Sequence, residues 1–286
     1  MREMKDSVCS DARSFGRCAL VIAHPGHELR LFGWLDENRP DVFVLTDGSG
    51  HAGASRIEST RRVLKCTGAA PGGLFGRYTD QRIYEGLLRA DNAFFVDMAE
   101  TLTEMLLLGR YRTVVTDPLD GYNPTHDLCS VLAHAAARAL RNVGRTVRTY
   151  EYPLTRVLDI GGRGAVQTLR LTPDMVRRKR VAVGEYTELS GEAQAVVRGE
   201  GESVYAEEVL RETDAGALGV TAASAAWPFH LPPDYETYGE RQAAAGRYIE
   251  VIRYREHFAP VLEAIRDWAC ARPLLGRQTE RRRIAQ

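Results

Sequence analysis

The sequence has no paired-cysteine motif, no excess of either charge and no long apolar run, and each absence removes a class of protein. Its five cysteines (Cys9, Cys18, Cys66, Cys129 and Cys270) are scattered, odd in number and free of CxxC spacing. Neither a disulfide framework nor a thiolate metal site is expected; reduced thiols in a cytoplasmic protein are. Lys plus Arg total 38 and Asp plus Glu total 38, a formal net charge of zero. That balance gives no electrostatic reason to expect nucleic acid or an anionic membrane as partner. The one basic cluster, Arg277 to Arg283, reads as a solvated tail. No apolar stretch is long enough to span a bilayer. The start of the chain is polar and mixed in charge, without the apolar core of a secretory signal.

What is present is the composition of an ordinary globular chain: 286 residues, 44% hydrophobic and 27% charged, enough to bury a large core. Strands are expected at Cys18 to Ala23, Val42 to Thr46, Thr113 to Thr116, Val147 to Tyr152 and Val166 to Leu171. Between them lie helical patterns. The clearest runs from Asp91 to Leu108, where Phe94, Phe95, Met98, Leu102, Met105 and Leu106 recur at helical spacing and Gly109 ends the run. Others start at Leu29, near Ser55 or Ser59, at Asp127, and at Pro173 behind the cap Thr172. Residues 69 to 82 and 190 to 202, rich in glycine, read as irregular, as does Thr213 to Pro233. A last long helix is expected from Tyr235 to Ala271, broken near Gly246 and Pro260. Alternating strands and helices predict an α/β fold with a Rossmann-like, mainly parallel sheet and a C-terminal helical extension. No linker divides the chain. A single domain over 1–286 is expected, with a core at 17–160, an elaboration at 161–272 and a basic tail at 273–286.

The stretch His24-Pro25-Gly26-His27-Glu28 follows the first strand directly, and a helical pattern follows it. It reads as a strand-turn-helix junction carrying two imidazoles, and in an open parallel sheet such turns lie at the carboxyl edge where sites form. Two histidines three residues apart on a turn can share one ion. A second polar turn, Asp117 to His126, lies between another strand and another helix. Taken together, His24, His27 and His126 make a three-ligand set with an open fourth position, the pattern of a catalytic zinc that acidifies a water. Read alone, His126 is equally a helix-start residue, and the first pair equally two surface rings. His134, on the helix after His126, reads as packed or exposed rather than as a ligand. His51, on the loop after the second strand, reads as pointing to solvent, with the cleft as the alternative, and His230 and His257 have no partner in the pattern.

These residues resemble the PIG-L/LmbE-type zinc-dependent N-acetyl-sugar deacetylases. The family's first motif, Ala-His-Pro-Asp-Asp-Glu, is similar to Ala23-His24-Pro25-Gly26-His27-Glu28. Its second, His-Pro-Asp-His, is similar to Asn123-Pro124-Thr125-His126. Thr46-Asp47-Gly48 looks like the family's turn after the second strand, and Arg56 and Glu58 like the start of its next helix. Lys179, Ala182 and Tyr186 match a later helix, and Glu208 a later acidic position. The resemblance implies a metal at His24, His27 and His126, with zinc favoured; iron(II) is the alternative that a three-His site can also host. The resemblance also implies substrate contacts at Arg56, with Tyr122 beside the site, and a small N-acylated substrate.

The departures fall on the acid–base apparatus. The position that the resemblance gives to the general base is Gly26, which has no side chain. The position of the oxyanion or proton-transfer histidine is Asn123, whose amide donates a hydrogen bond but shuttles no proton near neutral pH. Glu28, Asp47, Asp120 and Asp127 are the nearest carboxylates in sequence to take over proton transfer, with Glu28 and Asp120 first. Three imidazoles in place of two and a carboxylate leave the ion's charge unneutralised, which is expected to acidify a bound water further. Two other readings stay open. One is a metal protein on this scaffold that binds or does redox chemistry without hydrolysis. The other is a nucleotide-binding oxidoreductase, from Gly48-x-Gly50-x-x-Gly53 after a strand. It lacks the strand and acidic residue expected some twenty positions on.

Overall fold

Cys18–Ile22 places five consecutive apolar side chains in full burial, and a run that is apolar on both faces needs cover on both sides. It forms β1, inside the sheet of a computed structural model that describes residues 15–50, 53–154, 165–213 and 231–271. Four more parallel strands flank it: β2 (Asp41–Thr46), β3 (Ala70–Tyr78), β4 (Thr113–Thr116) and β5 (Arg148–Glu151). Two antiparallel strands, β6 (Val166–Arg170) and β7 (Glu207–Thr213), complete the order β3-β2-β1-β4-β5-β7-β6.

The two-residue period of β1 divides the core. Ala19, Val21 and Ala23 point to one face, with α4 (Asn92–Leu108), α5 (Pro124–Asn142) and α9 (Ala259–Cys270). Cys18, Leu20 and Ile22 point to the other, with α1 (Phe32–Asn38), α2 (Ile57–Thr67) and α6 (Pro173–Glu185). A buried ion pair ties the antiparallel edge to the parallel core. Lys179 Nζ on α6 donates to Glu208 Oε1 on β7 at 2.9 Å, and the same carboxylate accepts the Gly33 and Trp34 N–H groups of α1 at 2.9 Å each.

Two expectations need correction. Residues 69 to 82 are ordered: β3 is followed by α3 (Asp80–Leu88), with Thr79 capping the Arg82 N–H. The glycines belong there because a Cβ at Gly72 would stand 2.8 Å from the Phe43 ring, so only a bare backbone fits against that strand. Residues 190 to 202 hold α7 (Ser190–Glu200), an exposed helix that Gly201 terminates. The C-terminal helix breaks near Gly246, as expected: α8 (Asp234–Ala244) stops before Gly246 at φ +70°, and one wide turn, Tyr254–Phe258, leads into α9, with Pro260 in its first turn. Most of the irregular stretch expected at Thr213 to Pro233 lies outside the described residues, as do His51, His230 and the basic tail. Among the described residues no helix is long and apolar enough to cross a membrane.

Candidate metal centre

The strand order reverses between β1 and β4, and the connections after these two parallel strands leave in opposite directions, the place where open α/β sheets form their sites. Both histidine loops leave from these two strands. After β1 the chain turns through Gly26 at φ +109°, a conformation open to glycine, so that Leu29 N–H reaches Gly26 O and His24 and His27 fall on one side. After β4, Asn123 caps α5 by accepting the Thr125 N–H at 2.8 Å, Pro124 occupies the first turn, and His126 projects from it.

The three rings meet. Their centroids lie 5.3 Å (His24–His27), 5.2 Å (His24–His126) and 4.7 Å (His27–His126) apart. One nitrogen from each lies within 4.8 Å of the others, and His126 Nδ1 is buried without a hydrogen-bond partner. Zinc–nitrogen bonds of about 2.0–2.1 Å put ligand atoms roughly 3.4 Å apart in a tetrahedron, so modest ring rotations close this set on one cation. The donor set fits the group.

Carboxylates face the rings of His27 and His24, and a third lies near His126. Asp117 Oδ2 is 2.9 Å from His27 Nδ1, Asp80 Oδ1 is 3.3 Å from His24 Nε2, and Asp120 Oδ2 is 3.7 Å from His126 Nδ1. Asp117 also accepts the Ala23 N–H and the Tyr152 hydroxyl, fixing β1 to the β4 loop. This corrects the expectation of an unneutralised ion: the negative charge lies one shell outward. Burial brings His24 down to about 4, against the pull of Asp80 and with help from His126 and His27. Burial also lowers His27, against Asp117. Both rings are therefore neutral near pH 7, the form that ligates. Burial works to raise Asp117, but His27, His126 and Tyr152 hold it below its ordinary value.

The carboxylates named from the sequence are engaged in building the loops. Glu28 is fully buried, its Oε2 accepts the Gly26 N–H at 2.7 Å, and burial pushes its carboxyl up to about 7 against Thr60, backbone N–H groups and Arg56. Asp120 Oδ1 accepts the Tyr122 N–H, and Asp127 Oδ1 accepts those of Asp120 and Gly121. Asp47 Oδ1 closes on Ser49. Asn123 Nδ2 donates to Tyr84 at 3.2 Å. Arg56 Nε donates to Gly48 O at 2.8 Å. Tyr122 is 54% exposed and its ring stacks on His126 at 6.0 Å, which places it at the mouth of the centre. His134 is packed, bonded to Ser130 O and Thr213 Oγ1.

Gly26 is sealed as well as bare. A Cβ there would lie 2.1 Å from Leu189 Cδ1, in the short turn after α6. Leu189, Asp117 and Asp80 were not singled out from the sequence. Asp117 had a legible signal, since it opens the turn after a recognisable strand. Asp80 had none while β3 read as loop. The glycine pattern at Gly48, Gly50 and Gly53 also resolves: its loop follows β2 and packs beside the first histidine turn, where a Cβ at Gly48 would lie 2.8 Å from Pro25 Cδ, and the Gly50 N–H donates to Asp80 Oδ2 at 2.6 Å.

The architecture is the α/β fold of the LmbE/PIG-L-like deacetylases. The chain is similar to a deacetylase solved in complex with teicoplanin, from the teicoplanin biosynthesis pathway, at 14% identity and TM-score 0.52, covering 69% of this chain and 98% of that one. It is similar to a deacetylase of that pathway solved as a bog complex, at 16% identity and TM-score 0.51, covering 70% and 99%. It is also similar to the zinc-inhibited form of teicoplanin deacetylase, at 13% identity and TM-score 0.51, covering 69% and 97%. At these identities the likeness is one of fold. No protein-family model and no curated protein matches the sequence.

Proposed function

We propose that the chain is a metal-dependent amidohydrolase that removes an N-acyl group, acetyl first, from an amino sugar or a related small metabolite. The observation that carries this reading is the convergence of His24, His27 and His126 at the switch point of a deacetylase fold. A divalent cation held there, zinc before iron, would supply Lewis acidity to an acyl carbonyl and to a water. The residues of the chain do the rest. His24, His27 and His126 hold the ion as neutral donors. Asp117 fixes the His27 ring through Nδ1 and holds two strands in register behind it. Asn123, with its amide oxygen spent as a helix cap, keeps its Nδ2 donors on the Tyr84 side and offers one to an oxyanion. Tyr122 covers the mouth, and Arg56 stands on the Gly48 loop as a cation for substrate oxygens. Glu28 and Asp120 are the carboxylates we assign to proton transfer. The single-domain organisation is carried by one sheet running through the described residues. We assign a cytoplasmic setting, in keeping with free cysteines at 18, 66, 129 and 270.

One observation favours a second reading, metal binding without hydrolysis: Leu189 fills the space where a side chain at position 26 would stand. The test is elemental analysis of the purified protein beside His126→Ala, followed by amine and acetate release from a panel of N-acetylated amines. The panel is run with zinc, iron(II) and cobalt at limiting and excess metal, since a neighbouring fold was solved in a zinc-inhibited form. Metal lost in the variant together with amine released by the wild type supports the hydrolase. Metal held with no amine from any member of the panel moves the assignment to the second reading.

A further inference from the structure

Three neutral imidazoles leave the charge of a divalent cation to be balanced in a buried place, and burying charge without compensation is costly. Asp117 and Asp120 are near at hand because they share the loop that carries His126. Asp80 arrives from elsewhere, as the first residue of α3 at the end of β3. Its side chain is 5% exposed, and its Oδ2 is fixed by the Gly50 N–H at 2.6 Å. Its Oδ1 stands 3.3 Å from His24 Nε2 and has no formed hydrogen bond. A buried carboxylate oxygen left in that state, facing a ring nitrogen, marks a contact that forms when the ring turns toward a ligand. The ring rotations that close the three donors on one cation provide that turn.

We propose that Asp80 is a positioning residue for the metal centre: it takes the Nε2–H of His24 and fixes the tautomer that presents Nδ1 to the cation. With Asp117 on His27, it supplies the outer negative charge that an all-imidazole set lacks. Metal-bound histidines donate their second nitrogen to a carboxylate in this way, and the carboxylate sets both ring orientation and donor strength. The Gly50 N–H acts through Asp80, so the Gly48–Gly50 loop serves the centre. This inference rests on the three imidazoles being a metal centre.

The test reloads metal-free protein with zinc or cobalt and measures affinity by chelator competition, with no turnover involved. Asp80→Asn is expected to bind about 10–100-fold more weakly than wild type, with an altered cobalt visible spectrum. Affinity within twofold of wild type overturns the proposal. A measurement on the wild type stands apart from any folding defect: nitrogen-15 histidine spectra of the zinc-loaded protein are expected to show His24 protonated at Nε2 and ligated at Nδ1. The reverse arrangement overturns it. A wild type that holds no metal, or holds it equally without His126, removes the centre itself. A wild type that holds metal at His126 while Asp80→Asn holds it equally removes only the role of Asp80.

Discussion

Glu208→Gln tests how this chain is held together. Lys179 and Glu208 are each 3% exposed, and their charged atoms are 2.9 Å apart. The carboxylate also takes two backbone N–H groups from α1, while Lys179 keeps carbonyl contacts with Val204 and Arg30. Breaking one side of a buried pair costs about 3–5 kcal/mol, because the charge left behind stays buried. Glutamine also turns an NH₂ group toward a donor, so one of the two α1 bonds is lost. Lys179→Met is expected to cost less, since the carboxylate it leaves keeps both N–H donors. The double variant is expected to fall short of the sum by about 2 kcal/mol or more. At roughly 2 °C per kcal/mol for a chain of this size, the Glu208→Gln melt drops by about 6–10 °C. Urea unfolding of metal-free protein, followed by circular dichroism, keeps metal linkage out of the comparison. A Glu208→Gln variant within 1 kcal/mol of wild type, or strict additivity with Lys179→Met, refutes the reasoning.

Other outcomes follow from the site. Gly26→Ala is expected to cost about 1–3 kcal/mol for its positive φ alone, plus the swing of Leu189; Leu189→Ala in the same chain should return part of that cost, and full additivity in urea titrations argues against the contact. His27→Ala should weaken zinc binding beyond the roughly 10–100-fold of a lost outer partner, read by chelator competition; an unchanged affinity removes His27 as a ligand. Asn123→Ala is expected to destabilise by about 1 kcal/mol as a lost cap, and a larger loss in amine release than in stability would mark its amide as part of the chemistry. In native protein at pH 8, iodoacetamide should label the exposed Cys66 and Cys270. It should spare Cys129 and Cys18, whose thiols burial pushes up, that of Cys18 to about 11. Mass mapping of Cys18 as rapidly alkylated would contradict its burial.

The sequence by itself determined the strands built from continuous apolar runs, the cap at Thr172 with Pro173 in the first turn behind it, and the two turns that carry His24, His27 and His126. Those signals are local: side-chain period, a capping residue and a fixed spacing are all written within a dozen positions. Tertiary structure decided β3, where glycines that read as loop are required by the nearness of Phe43, and α7, whose glycines do not prevent an exposed helix. It also decided the electrostatics of the centre. Asp80 stands 56 positions from His24 and Asp117 stands 90 from His27, and no local pattern states which carboxylate will end behind which ring. Leu189 closes the space at Gly26 from 163 positions away for the same reason. The candidate ligands follow from the chemistry of two short turns. Charge balance and steric closure follow from which distant segments the sheet order brings together, and that order is set by burying the whole core at once.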